Sequence, residues 1–139
     1  MVSQTVIRRK ISRIEEHLRR IRTIPLKPVE AFKKDTISQD VFLFNITQAI
    51  QSCIDIATHI ISDEEWGMPG TQSETFEILA AKGVVSNELI QKLIAMSGFR
   101  NRIIHEYENL NIDIVYEVWR KGLPDIEKFC LAIIERFRL

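Results

Sequence analysis

Apolar residues recur at spacings of three and four along most of the 139-residue chain, and no stretch alternates apolar and polar over six residues before a hairpin turn. The pattern predicts an all-α protein. A first helix is expected over residues 3–23, with Val6, Ile7, Ile11, Ile14, Leu18, Ile21 and Ile24 on one stripe and arginines opposite. Pro25 and Pro28 stop it, and the connector PLKPVEAFKKD has room for one helical turn. A second helix begins between Asp35 and Ser38 and runs to Ser62. Phe42, Ile46, Ala49, Cys53, Ile56 and Ile60 form one apolar line on it; Leu43, Ile50, Ile54, Ala57 and Ile61 form the neighbouring one. Two adjacent lines cover a broad arc, so this helix should be central.

Asp63, Glu64, Glu65 and GMPG end the second helix, and Trp66 is a natural anchor for the loop that leads on to Thr71. Ser73 is expected to open a short helix, SETFEILAAK, closed by Gly83 in the left-handed position. Ser86 then caps SNELIQKLIAMSGFRNRIIHEY, with Glu88 in the positive first turn. After a break at residues 109–111, IDIVYEVWRK reads as a fifth helical segment ended by Gly122. Pro124 opens a last helix, PDIEKFCLAIIERFRL, with Ile126, Phe129, Cys130, Ile133, Ile134 and Phe137 on its buried side. The expected architecture is an antiparallel helical bundle of four main helices plus minor ones, with residues 1–139 forming one domain.

Composition narrows the classes. The balance of 45% hydrophobic and 27% charged residues is that of a soluble globular protein, no apolar run reaches the ~18 residues of a membrane span, and no signal-peptide core is present. A cytoplasmic protein is the expectation. Cys53 and Cys130 each lie in an apolar helical pattern far from any second ligand, which reads as buried free thiols. The formal net charge of zero hides an asymmetry: residues 1–34 hold 10 Lys/Arg against 3 Asp/Glu, residues 35–139 hold 9 against 16. Such a basic arm either pairs with the acidic body or attracts phosphate through Arg8, Arg9, Lys10 and Arg13.

Chemistry concentrates in FRNRIIHEY, residues 99–107. On a straight helix Asn101 and His105, four apart, share a face, and Arg100 and Tyr107, seven apart, form a neighbouring line. Arg100 and His105 are about 140° apart at 100° per residue, which a long arginine side chain can bridge. Histidine moves a proton at neutral pH, arginine stabilises extra charge on phosphorus, and asparagine orients either partner. That set suffices for attack of an RNA 2′-hydroxyl on its neighbouring phosphate without a metal. Spacing alone does not separate such a site from an ordinary polar helix edge. Elsewhere, His17 among Glu15, Glu16, Arg19 and Arg20 reads as a solvated surface histidine, His59 with Asp55 four residues earlier as a structural pair, and Asp63, Glu64 and Glu65 as a solvated helix end. Asp55 pointing to the cleft is the looser alternative.

The run MSGFRNRIIHEYENLNIDIVYEV resembles the signature of the HEPN superfamily, and of HepT-like toxins within it: Arg, a polar residue that is usually Asn, three variable residues, His, one more residue, Tyr. Here these are Arg100, Asn101, His105 and Tyr107. LAAKGVVSNELIQKL and QAIQSCIDIATHII are similar to that family's helices, so the resemblance spans roughly residues 40–137. It implies a HEPN-like bundle and a metal-independent ribonuclease toxin, homodimeric, with the histidine-bearing helices facing a shared cleft and no cofactor. It also implies a minimal nucleotidyltransferase antitoxin that transfers AMP to the motif tyrosine, Tyr107. Catalysis would fall to Arg100, Asn101 and His105, with RNA as substrate. A second reading comes from the missing basic excess: a non-catalytic helical module that docks a nucleotidyltransferase or binds nucleotide through the same surface.

Overall fold

The computed structural model describes residues 2–139 and contains six α-helices, with no strand among the described residues. They are α1 (Gln4–Arg22), α2 (Val29–Lys33), α3 (Thr36–Asp63), α4 (Gln72–Ala81), α5 (Asn87–Glu106) and α6 (Ile112–Phe137). A 3₁₀ turn, Tyr107–Asn109, joins the last two. The long helices α1, α3, α5 and α6 make the bundle, as the periodicity predicts.

The central role expected of the second helix is met, because α3 packs against each of the other five. Both of its apolar lines are buried, from Phe42 to Ile61. Its start is set by Asp35, whose carboxylate accepts from Ser38 N at 3.1 Å and Ser38 Oγ at 2.7 Å. These bonds and the Lys27 ammonium hold the Asp35 carboxyl well below the usual carboxylate range, the lysine contributing most. Phe42 stacks on Trp119 of α6 at 4.9 Å between ring centroids, and Phe32 of α2 meets the same indole edge-on at 5.3 Å. This aromatic group locks the α2 connector and α6 onto the first half of α3.

Ends expected from turn chemistry mostly hold. Ser86 Oγ accepts from Leu89 N at 3.2 Å, and Gly83 closes the fourth helix at φ +72°. Trp66 packs on the core beneath Lys82, whose Nζ lies 5.6 Å from the indole centroid. The cap of α4, however, is Thr71 and not Ser73: Thr71 Oγ1 accepts from Glu74 N at 3.1 Å. Both residues are good cap types, and only the path of the incoming loop chooses between them.

The largest departure is at Gly122 and Pro124. The predicted break between a fifth and a last helix does not occur, and α6 runs unbroken through both residues. Gly122 is buried against α5, where a Cβ would sit 2.5 Å from Met96 Cε. The glycine therefore lets two helices approach closely. Pro124 is exposed, so the Arg120 carbonyl that it cannot bond faces water. The buried set Val115, Trp119, Gly122, Leu123, Ile126, Phe129, Cys130 and Ile133 keeps its three-and-four spacing across the site.

Both cysteines are buried and free; burial raises both thiols, that of Cys130 to about 12. The basic arm divides. Lys10 pairs with Asp55 at 3.7 Å and Arg22 with Glu127 at 2.7 Å. Arg8, Arg9 and Arg13 make no ion pair or hydrogen bond among the described residues, so self-pairing accounts for only part of the charge.

Candidate functional site

The polar string stands at the C-terminal end of α5, where Ile103 is buried and fixes the backbone beneath it. Ser97 and Phe99 are buried one turn earlier, so the helix is anchored up to the point at which polar side chains emerge.

Arg100 is half-buried. One terminal nitrogen, Nη1, donates to Asn101 Oδ1 at 3.1 Å, while Nε is buried and finds no acceptor among the described residues. Asn101 Nδ2 in turn donates to Gln72 Oε1 at 3.4 Å, tying the string to the start of α4. His105 is exposed, with no hydrogen bond or ion pair among the described residues. Within one chain the structure thus brings Arg100 and Asn101 together and leaves His105 open to solvent.

Tyr107 departs from the straight-helix expectation. The backbone turns at Glu106 (φ −132°, ψ 31°), so Tyr107 begins the 3₁₀ turn and no longer continues the line of Arg100. Its phenol swings toward α3 and donates to the Asp40 carboxylate. That bond to the neutral phenol, more than any desolvation, raises the tyrosine pKa above its ordinary value. Asp40, Leu43, Phe44, Thr47, Gln48, Ile103 and Tyr107 line a groove of about 370 Å³, and Phe44 is 58% exposed beside it.

Asp40 and Gln72 are not among the residues that the sequence singles out. Nothing in the local pattern marks either, because their contacts span 67 and 29 residues. Asp55, the acid considered for the cleft, is engaged by Lys10 and by Gln51 Nε2 at 2.9 Å. His59 pairs forward with Asp63 at 3.1 Å and not back with Asp55. Asp63 also accepts from Ser3 N at 2.9 Å, so this helix end is partly engaged and not simply solvated.

His17 is not the solvated surface histidine that its charged neighbours suggest. It is half-buried, its Nδ1 lying 2.8 Å from Oδ1 of the buried Asn45, and it meets Phe44 edge-on at 6.2 Å. Asn45 Nδ2 donates to the Val41 carbonyl at 2.8 Å, so Oδ1 is left as acceptor and His17 Nδ1 carries the proton. Position 17 lies at the edge of the buried stripe of α1, which the helical wheel of charged neighbours conceals. No group of three or more metal-ligating side chains is present among the described residues.

A helical bundle with this Arg-Asn-His-Tyr string at the end of a buried helix defines a HEPN-type protein. The family model described as Ribonuclease HepT-like matches residues 14–133, and the chain belongs to that family. It is 34% identical over 124 residues to an mRNA nuclease HepT of Shewanella oneidensis, covering 89% of this chain and 92% of that one. A tRNA nuclease HepT of Aphanizomenon flos-aquae is 32% identical over 107 residues, 76% of this chain and 70% of the relative. Among solved structures, the tri-AMPylated Shewanella oneidensis HEPN toxin in complex with MNT antitoxin superposes with a TM-score of 0.84 at 32% identity, covering 94% of this chain and 98% of that one.

Proposed function

We propose that this chain is a metal-independent endoribonuclease toxin in which His105 moves the proton, Arg100 binds the scissile phosphate and Asn101 positions it. The ribonuclease family and the nuclease relatives support the activity. The observation that carries the residue assignment is Arg100: a half-buried guanidinium whose Nε has no acceptor among the described residues, beside an exposed imidazole on the same helix that none of them engages. A buried donor without a partner costs about 1–3 kcal/mol, and an anionic oxygen bound there would recover it.

In the reaction the RNA 2′-hydroxyl attacks the adjacent phosphorus, His105 takes a proton from the nucleophile or gives one to the departing 5′-oxygen, and Arg100 offsets the added negative charge. Purified protein should cut RNA in EDTA and leave 2′,3′-cyclic phosphate ends. His105→Ala should lower the rate by about 10²–10⁴-fold. Equal cleavage by that variant rejects the assignment, and a wild type that binds a nucleotidyltransferase yet never cuts RNA makes the chain a docking module instead.

The active unit is a homodimer whose polar strings face a common cleft. Ile37, Phe44, Ile104 and Tyr107, exposed by 76%, 58%, 49% and 50%, supply apolar surface around the site. The partner in the cell is a minimal nucleotidyltransferase antitoxin, as in the solved relative, and Tyr107 is the AMP acceptor. AMP at Tyr107 would set bulk and negative charge where an RNA phosphate must bind. The protein acts in the cytoplasm, and among the described residues no helix is long and apolar enough to cross a membrane.

A further inference from the structure

AMP transfer to Tyr107 requires its phenol to become a nucleophile. The side chain is 50% exposed and therefore reachable by a partner enzyme, yet its hydroxyl is already engaged by Asp40. Asp40 is exposed and makes no other hydrogen bond or ion pair among the described residues. Among the described residues no cation pairs with it. Nearby on α5 and the 3₁₀ turn, His105, Glu106 and Glu108 are also exposed, but none is bonded to the phenol.

With its proton held toward a carboxylate, the hydroxyl is neutral at physiological pH and a weak nucleophile until that proton leaves. We propose that Asp40 is the proton acceptor for AMP transfer, a catalytic base that the toxin supplies to its own modification; this role rests on reading Tyr107 as the AMP acceptor. Tyr107 Oη forms a bond to the α-phosphorus of ATP, and the bond from that phosphorus to the oxygen bridging to the β-phosphorus breaks. Pyrophosphate leaves with the electron pair, and the phenolic proton passes to the Asp40 carboxylate. The contact needed for that transfer exists before any nucleotide binds, so no rearrangement within the toxin is required. Once the phenolic hydrogen is gone the bond to Asp40 cannot re-form, and the modified side chain is released from α3.

The test incubates wild type, Tyr107→Phe, Asp40→Asn and Asp40→Glu with ATP, Mg²⁺ and a nucleotidyltransferase, and follows the adduct by intact mass. The enzymes are the nucleotidyltransferase antitoxin proposed for this chain and, for reference, the Shewanella oneidensis MNT antitoxin. Asp40→Asn should slow transfer by about 10²-fold at pH 7, and the deficit should shrink as pH approaches ~10, where a phenol ionises unaided. Asp40→Glu should keep the wild-type pH profile. His105, Glu106, Glu108 and Arg100 are common to all variants and cancel in the rate ratio. Equal rates for wild type and Asp40→Asn overturn the proposal, as does a deficit that is the same at every pH, which would make Asp40 merely structural. A wild type that no enzyme modifies, or an adduct that persists in Tyr107→Phe, overturns the reading of Tyr107 itself and this proposal with it.

Discussion

Two tyrosines, Tyr107 and Tyr116, give the residue-scale chemistry a direct readout. Tyr116 donates to the Lys27 carbonyl at 2.5 Å, whereas Tyr107 donates to a carboxylate, so only the second should respond to a change at position 40. Ultraviolet titration of phenolate should show one of the two ionisations moving to lower pH in Asp40→Asn. The same bond sets the sign for stability. A phenol whose folded pKa is raised contributes stability fully present below the unfolded value of ~10, and that contribution is lost as pH rises through the folded pKa. Wild type should therefore lose more stability than Asp40→Asn between neutral and strongly alkaline pH in parallel denaturant titrations; parallel curves would mean that the bond is absent in solution. Arg100, Asn101, His105 and Tyr107 stood out through the resemblance of their string to the HEPN signature, which type and spacing alone would not have separated from a polar helix edge. Asp40 did not stand out, since nothing within a helical turn of it differs from any other surface acid.

At the scale of the element, α6 shows how packing overrides local signals. Gly122 and Pro124 both favour a helix end, yet the apolar spacing continues past them, and burying that stripe outweighs the weak propensities. Pro124→Ala should accordingly stabilise the protein, by about 1–3 kcal/mol, because it restores a donor to the Arg120 carbonyl and removes a ring clash on an exposed face. Gly122 behaves differently. Alanine there meets the flexible tip of Met96, which can turn aside, and gains about 1 kcal/mol of helix propensity, so the change should be near neutral. Leucine has no such escape and should cost about 1–3 kcal/mol by prising α5 from α6. Thermal and denaturant melts check all three, and destabilisation by Pro124→Ala would show that the proline shapes α6 for a reason that local backbone energetics miss.

For the whole molecule, assembly decides whether the open imidazole of His105 becomes part of a cleft. The protein should elute as a dimer in size-exclusion chromatography coupled to light scattering, and Phe44→Asp should shift it toward monomer with little loss of fold, since that ring is 58% exposed in the single chain. A strict monomer that still cleaves RNA would remove the shared-cleft picture. Expression of this chain alone should arrest growth, and His105→Ala should relieve the arrest. Arg8, Arg9 and Arg13, without an ion pair among the described residues, leave part of the N-terminal helix free to meet an anion, although the protein as a whole carries no excess of positive charge.

The amino-acid order alone was enough to determine the helical class, the central burial of α3 and the cap at Ser86. These depend on periodicity and on interactions between residues a few positions apart, which a linear pattern records. Tertiary structure alone decided that α6 is continuous, that Thr71 and not Ser73 caps α4, that His17 turns inward to Asn45, and that Tyr107 leaves its helix to meet Asp40. Each of these is settled by a contact with a distant element or by the path of a loop. The free energy of burying a whole face, summed over many side chains, exceeds the ~1–3 kcal/mol by which local preferences differ even at Gly and Pro.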